Sequence, residues 1–192
     1  MTHGLILLAL CALLIPPTPE TILVQLINEE RLSAELPPLA QDWELARLAR
    51  YRTDEMIRLQ FFGHESPVYG TPSQMLTRFA IPFEHSGVNI AKGLDTCPRD
   101  ALAGWLNSPT HRENLLNPDF THAGVGFAEN DGFYYWTIFL ISSASSSASG
   151  VMGTALPFLR IDESIEASSS LCNAKSLRSS GSSTSFAAIN CS

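Results

Sequence analysis

Apolar residues recur along this chain with three rhythms, and each predicts a different kind of element. Residues 4–15, GLILLALCALLI, are continuously apolar. That run is too short to cross a bilayer comfortably as a helix, and it has the length of the hydrophobic region of a secretory signal. Thr2 and His3 bring no Lys or Arg ahead of it, and no clear small-x-small cleavage site follows. An N-terminal anchor that is never removed and a misassigned start therefore stand beside the export reading. Residues 1–17 form this leader segment.

A helical rhythm comes next. Thr18-Pro19 is a start signal, and Leu23, Leu26, Ile27 and Glu30 keep helical spacing to about Ser33 before Leu36-Pro37-Pro38 ends the run. Asp42 is placed to cap a second helix through Leu45, Leu48, Ala49, Arg52 and Met56 to about Leu59. Its Arg and Glu residues are expected to point away from the apolar stripe. The loop Phe61-Phe62-Gly63-His64-Glu65-Ser66-Pro67 follows. Thr71-Pro72-Ser73-Gln74 has the capping-box pattern and opens a short helix through Met75, Leu76 and Phe79. Thr96 to Pro98 starts another, with Ala101, Leu102, Trp105 and Leu106 as its buried stripe. Ser108-Pro109 restarts a helix, because a Ser side chain can accept from free amides and Pro suits the first helical position. His111 falls in its first turn, and Asn117-Pro118 stops it.

The strand rhythm appears after Pro82, in His85 to Ala91, and again in Ala123-Gly124-Val125-Gly126-Phe127, where glycine twice replaces a side chain. Asn130-Asp131-Gly132 reads as a hairpin turn into Phe133–Ile141, which is rich in aromatic and β-branched residues. Helices first and a Gly-turn hairpin last predict one α+β domain over residues 18–141. In residues 142–192 about a third of the positions are Ser and no apolar period is sustained. Such a segment cannot bury enough surface to offset its ordering entropy, so disorder is expected there. Leu156–Ile161 is a small apolar island within it, and a reading-frame error in the gene is the alternative account of the abrupt change.

Composition narrows the function classes. The 192 residues are 45% apolar and 16% charged, enough for one domain with a real core. Residues 18–141 hold 9 Lys/Arg against 16 Asp/Glu and so carry the whole formal charge of −7. With no Lys/Arg cluster along the sequence, nucleic acid and anionic membrane surfaces are not expected partners. Cys11, Cys97, Cys172 and Cys191 show no CxxC spacing, which disfavours a cysteine-based zinc or redox site. Cys97 reads as a small buried apolar side chain. Cys172 and Cys191 could pair in an exported chain.

The candidate chemistry gathers in Trp105–Phe127, where a polar, histidine-bearing turn lies between an apolar helix and a Gly-punctuated strand. The partner expected for His111 is His64, 47 residues earlier. Helix-terminal amides disfavour an imidazolium at His111, and neutral imidazole is the metal-binding form. Ser108 beside His111 invites a nucleophile reading, but its cap role accounts for it, and no G-x-S-x-G pattern occurs. Asn89 and Asn114 are expected as hydrogen-bonding braces. Glu65 and Glu113 are expected in solvent, His85 and His122 at the surface or a strand edge, and Trp105 and Trp136 in the core.

Taken together, LINEERLSAELPPL at 26–39, the helix from Asp42, FFGHESP at 61–67, SGVNIAKG at 86–93, WLNSPTHRENLLNP at 105–118 and AGVGFAENDGFYYWTIF at 123–139 resemble the CAP superfamily. These SCP-like domains include short bacterial CAP-domain proteins, which the chain resembles most. The resemblance implies a three-layer α-β-α sandwich with a small antiparallel sheet. It also implies a central cleft with two histidines and two acidic residues. By motif the histidines carry over to His64 and His111. The first acid belongs to a Gly-Glu-Asn-Ile motif that reads Gly87-Val88-Asn89-Ile90 here, so that carboxylate is lost. The second falls at or near Ser108.

The expectation is thus a cleft with His64 and His111 as the metal candidates, zinc as the metal, and Ser108, Asn89, Val88 and Asn114 along its walls. Zinc takes about three or four ligands, so two histidines alone make a weak site. The expected function is that of a secreted or envelope-associated binding module, not expected to be an enzyme, for a small or lipid-like ligand with or without a divalent metal. The alternatives are a metal-assisted hydrolase using His64 and His111, and a degenerate domain serving as an interaction surface. No integral membrane domain is expected beyond the N-terminal segment, and the oligomeric state is not legible.

Overall fold

The computed structural model describes residues 16–94 and 97–143. The apolar run 4–15, Cys11, the Ser-rich chain beyond residue 143, Leu156–Ile161 and the Cys172–Cys191 pair lie outside the described residues. Among the described residues five helices and four strands follow one another: α1 Pro19–Ser33, β1 Ala40–Gln41, α2 Trp43–Arg58, α3 Pro72–Arg78, β2 Ser86–Leu94, α4 Pro98–Asn107, α5 Pro109–Leu115, β3 His122–Asn130 and β4 Phe133–Ile141.

The caps explain several of these boundaries. Thr18 Oγ1 accepts from the Thr21 N–H, and Asp42 Oδ1 accepts from the Leu45 N–H at 2.9 Å. Thr71 and Gln74 form the reciprocal capping box that their spacing predicts. The hairpin turn places Asp131 at φ 51° and Gly132 at φ 75°, the left-handed pair that a tight hairpin requires. Strand β2 runs to Leu94, three residues beyond the expected strand. Helix α4 begins at Pro98, with the Asp100 carboxylate accepting from the Cys97 N–H at 3.3 Å. Cys97 is half-buried and disulfide-bonded, so it is not the buried apolar side chain expected of it.

The sheet has the order β1-β3-β4-β2. β2, β3 and β4 are antiparallel, and β1 adds a parallel pairing to β3 that the small antiparallel sheet did not anticipate. Strand residues alternate strictly between two cores. Ala91, Ala123, Val125, Trp136, Ile138 and Leu140 pack beneath α1, α4 and Leu115 of α5. Val88, Ile90, Phe139 and Ile141 pack with Leu45, Leu48, Ala49 and Met56 of α2 and with Met75 and Leu76 of α3. The result is an α-β-α sandwich, because each face of the sheet is apolar and each must be covered.

Four charged side chains depart from the expected pattern in the first two helices. Glu30 is exposed, and the position that continues the apolar face of α1 is Arg31, which is fully buried. Its guanidinium donates to the carbonyls of Pro37, Leu115, Asn117 and Phe120 at 2.8–3.1 Å. A cation there satisfies the free carbonyls at the C-terminal end of α5 and fixes the chain that leaves it. Arg52 and Glu55 of α2, expected to face outward, are buried as well.

Helix α2 lies against β3 because Gly124 and Gly126 leave room for its backbone. A Cβ at Gly124 would overlap backbone atoms of Leu45 and Ala46, and one at Gly126 would overlap Ala49 and Arg50. These neighbours are main chain and cannot rotate aside. Gly124→Ala is therefore expected to lower unfolding stability by about 1–3 kcal/mol or more, the cost of overpacking a dense interior. Urea denaturation at fixed pH measures it. An unchanged midpoint would mean that α2 stands off the sheet.

Candidate functional site

The site begins with an ion pair inside α2. Arg52 Nη1 donates to Glu55 Oε2 at 2.7 Å, and the two side chains are 2% and 0% exposed. Burial pushes the Arg52 guanidinium below its ordinary value, and the adjacent Glu55 carboxylate partly offsets this. Both ends of the pair reach into the following loop. Arg52 Nη2 donates to the Gly63 carbonyl at 2.7 Å, and its guanidinium lies 4.8 Å from the centre of the Phe61 ring. The Ser66 hydroxyl donates to Glu55 Oε1 at 2.7 Å and accepts from the N–H groups of Val68 and Tyr69. Ser66 and Gly70 exchange two backbone hydrogen bonds across the loop. His64 thus sits between two anchored residues, Gly63 and Ser66.

His111 is held from the other side of the sheet. It is the third residue of α5 and is 1% exposed. Its carbonyl accepts from Asn89 Nδ2 at 2.9 Å, and Asn89 Oδ1 in turn accepts from Asn114 Nδ2 at 2.9 Å. Asn114 also reaches the Val88 carbonyl at 3.5 Å. Asn89 is fully buried, so its amide is a brace that binds β2 to α5 rather than a group open to ligand. Trp105 Nε1 adds a further bond from α4 to the Ile90 carbonyl at 3.1 Å. β2 is an end strand of the sheet, and α4 and α5 meet it through these polar contacts.

The two histidines therefore arrive from elements on opposite faces of the sheet and meet beside β2. Their ring centroids are 5.8 Å apart and the rings are 21° from parallel. Both ring nitrogens of His111 are buried and make no hydrogen bond among the described residues. Desolvation pushes the His111 pKa below its ordinary value, and the proximity of His64 lowers it further, so the ring favours its neutral form. His64 is half-buried, its Nε2 is buried, and the residue keeps other interactions. Of the two rings, His64 is the more exposed.

The remaining sequence candidates fall as follows. Val88 is buried in the core formed with α2 and α3, an apolar side chain where the resemblance implied an acid. Ser108 is the N-cap residue of α5 and is buried, but its side chain makes no cap hydrogen bond. This corrects the expected side-chain cap, and its carbonyl accepts the first helical bond from the Arg112 N–H. Glu65, Glu113 and His85 are exposed, while His122 pairs with the Thr121 hydroxyl at 2.8 Å. A shallow depression of about 550 Å³ lies on the outer side of α5, lined by residues that include Pro109, Arg112, Glu113 and Asp119, and neither histidine lines it.

A resident zinc centre does not fit this donor set. Among the described residues no three His, Cys, Asp or Glu side chains converge on one point. The amide groups of Asn89 and Asn114 are engaged as braces. Two imidazoles remain, fewer than the three or four ligands that zinc takes.

Sequence reasoning missed the Arg52–Glu55–Ser66 frame. Its one signal was that Arg52 falls on the apolar spacing of Leu45, Leu48, Ala49 and Met56. Glu55→Gln leaves the Arg52 charge buried and uncompensated, and is expected to cost about 3–5 kcal/mol of unfolding free energy. Chemical denaturation reads the loss, and amide hydrogen exchange should rise first at residues 63–70. Wild-type stability with unchanged exchange would remove the frame from the account.

The chain has relatives in sequence and in fold. A family model described as "CAP: Cysteine-rich secretory protein family" matches residues 24–141. The chain is 42% identical over 118 residues to the uncharacterized protein YkwD of Bacillus subtilis (strain 168), covering 62% of this chain and 45% of YkwD. It is 36% identical over 126 residues to the uncharacterized membrane protein YlbC of the same organism, covering 66% of this chain and 35% of YlbC. The chain thus spans less than half the length of the curated relatives it matches. Among solved structures, an extracellular protein containing an SCP domain from Bacillus anthracis str. Ames superposes with TM-score 0.58 at 37% identity, over 65% of this chain and 40% of that one. An outer surface protein from Borrelia burgdorferi shares the fold with TM-score 0.59 at 24% identity, over 64% of this chain and 91% of that one. With the family model spanning most of the described chain, and with bacterial relatives on both counts, the chain belongs to the CAP, or cysteine-rich secretory protein, family.

Proposed function

We propose that this CAP domain is a secreted or envelope-associated binding module in which His64 and His111 receive the polar head of a small, largely apolar ligand. One observation carries the reading. His111 keeps two ring nitrogens buried and without hydrogen bonds among the described residues, beside a network in which Asn89, Asn114, Arg52 and Glu55 are all engaged. Buried polar atoms are normally paired, and an imidazole kept unpaired in this way is a ready partner for an incoming group. Val88 in place of a carboxylate, and the half-buried Phe61 and Phe62 just before His64, make the surroundings apolar. Such surroundings suit a lipid-like body attached to a small polar head. The extracellular description of the Bacillus anthracis relative supports an exported location. Among the described residues no helix is long and apolar enough to cross a membrane.

The reading is non-enzymatic because the paired carboxylates that would supply acid–base chemistry are not matched: one family acid is replaced by Val88 and the other falls at Ser108. A metal-assisted hydrolase is the second reading, favoured by the neutral bias of His111, which is the form that ligates metal. It needs a third donor from a bound molecule.

Ring-proton NMR of the full chain, titrated with decanoate and separately with zinc sulfate, distinguishes the readings. Decanoate is expected to shift the His64 and His111 resonances, with the effect lost in His111→Ala, while zinc alone binds more weakly than micromolar. Tight zinc binding lost in both His64→Ala and His111→Ala would install the metal reading instead. Ring signals indifferent to amphiphiles of every head group would leave a domain that acts through its surface.

A further inference from the structure

The face of the sheet that α2 and α3 cover continues past the end of its cover. Val88 and Ile90 of β2 and Phe139 and Ile141 of β4 are buried against the two helices. The period of two puts Lys92 and Leu94 next on β2, and Thr137, Tyr135 and Phe133 next on β4, all on that face. Thr137 still meets α2, where it accepts from the Thr53 hydroxyl at 3.0 Å. Tyr135 is buried, and the Phe62 ring meets it edge-on with centroids 6.5 Å apart. The last cross-strand pair is Leu94 with Phe133, and these side chains are 50% and 37% exposed. The face therefore ends in an open apolar step.

One charge stands on that step. Lys92 is half-buried and is the single lysine among the described residues. Its ammonium lies 4.7 Å from the centre of the Phe133 ring and 4.8 Å from that of Tyr135. The ring faces attract the cation but give its N–H donors no lone pair to bond. Among the described residues no carboxylate or other hydrogen-bond acceptor reaches the ammonium. The β3 residues opposite Tyr135 and Phe133 are Ala128 and Asn130, which bring no charge to this face. The Asp131 carboxylate of the turn accepts from Asn130 Nδ2 at 3.1 Å instead. Arg31 and Arg52, the buried cations of the same domain, spend their donors on carbonyls and on Glu55. Lys92 is thus a cation positioned by two rings, with its hydrogen-bonding capacity left for another molecule.

We propose that the open end of the sheet at Lys92, Phe133 and Leu94 is a binding site for a small organic carboxylate with an apolar body. The carboxylate accepts from Lys92 Nζ in a charge-assisted bond, which the apolar surroundings strengthen. The body lies against Phe133 and Leu94 and takes their exposed surface out of water. The two rings hold the lysine side chain beforehand, so little side-chain freedom is lost on binding. A neutral or cationic ligand of the same shape gains nothing from the ammonium, so charge sets the ligand class. The site shares no residue with the histidine pair and does not depend on what that pair binds.

The chain supplies its own reporter, because it holds two lysines, Lys92 and Lys175, and ring currents from Phe133 and Tyr135 set the Lys92 ε-methylene signal apart. The full chain, isotope-labelled at lysine, is titrated with naphthoate and separately with naphthylmethanol, its neutral counterpart. Naphthoate is expected to move the Lys92 signal with a dissociation constant of about 1 mM or tighter. Naphthylmethanol is expected to bind about tenfold more weakly, for want of the charge-assisted bond. Lys92→Met should abolish naphthoate binding in ligand-observed NMR, Lys92→Arg should keep most of it, and His111→Ala should leave it unchanged. The proposal is overturned if naphthoate leaves the Lys92 signal in place or moves the histidine ring signals alone. It is overturned too if naphthylmethanol binds as tightly, or if Lys92→Met, with a wild-type far-UV spectrum, binds naphthoate as the wild type does.

Discussion

The buried Arg52–Glu55 pair is the constraint on which the candidate site depends. A guanidinium and a carboxylate at this depth are tolerated only together and only when their remaining hydrogen-bonding capacity is used. Arg52 uses its second terminal nitrogen on the Gly63 carbonyl, and Glu55 uses its second oxygen on the Ser66 hydroxyl. The chain between those two contacts has little freedom, and His64 lies there. The ion pair thereby turns a surface connection into a fixed wall, which is what a binding residue on a loop needs.

The opposite wall comes from the sheet. β2 is an edge strand, and an open edge invites uncontrolled pairing. Here the edge meets α4 and α5, with Trp105 donating to the Ile90 carbonyl and Asn89 and Asn114 linking the strand to the helix that bears His111. The same contacts that manage the edge therefore set the position of the imidazole. Gly124 and Gly126 let α2 approach the other face of the sheet closely enough for its C-terminal loop to reach around to the same place. The site is a product of the sandwich: one histidine comes from each helical layer, and the rings meet where the sheet ends.

Much of the fold was legible in the sequence because its signals are local. Caps at Thr18, Asp42 and Thr71, the Asp131-Gly132 turn and the two periodicities each act within a few residues, and each yields its element. The pairing of His64 with His111 was expected from the sequence and strengthened by the family resemblance, although no local rule links residues so far apart. The failures at the two buried arginines share one cause. Arg31 and Arg52 lie on helical spacing with apolar neighbours, but charge type argued for solvent, and the partners that make burial tolerable are distant in sequence or carbonyls of the main chain. At Arg52 periodicity was right against polarity, whereas Glu30, placed on the spacing of α1, is exposed as its charge suggests. Ser108 failed in the opposite sense: its residue type and position suit a side-chain cap, yet the fold buries it without that bond. Strand β1 is two residues long and has no sequence signal of its own.

The central claim is that His64 and His111 face each other in a desolvated site that keeps His111 neutral. NMR titration of the His111 ring in the wild-type chain and in His64→Ala tests it most directly. The account predicts a wild-type His111 pKa below the ordinary 6.5, moving up when His64 is removed, because both the ring that excludes water and the neighbouring titrating group are gone. A His111 that titrates at or above 6.5, or that is indifferent to His64, would contradict the convergence of the two rings.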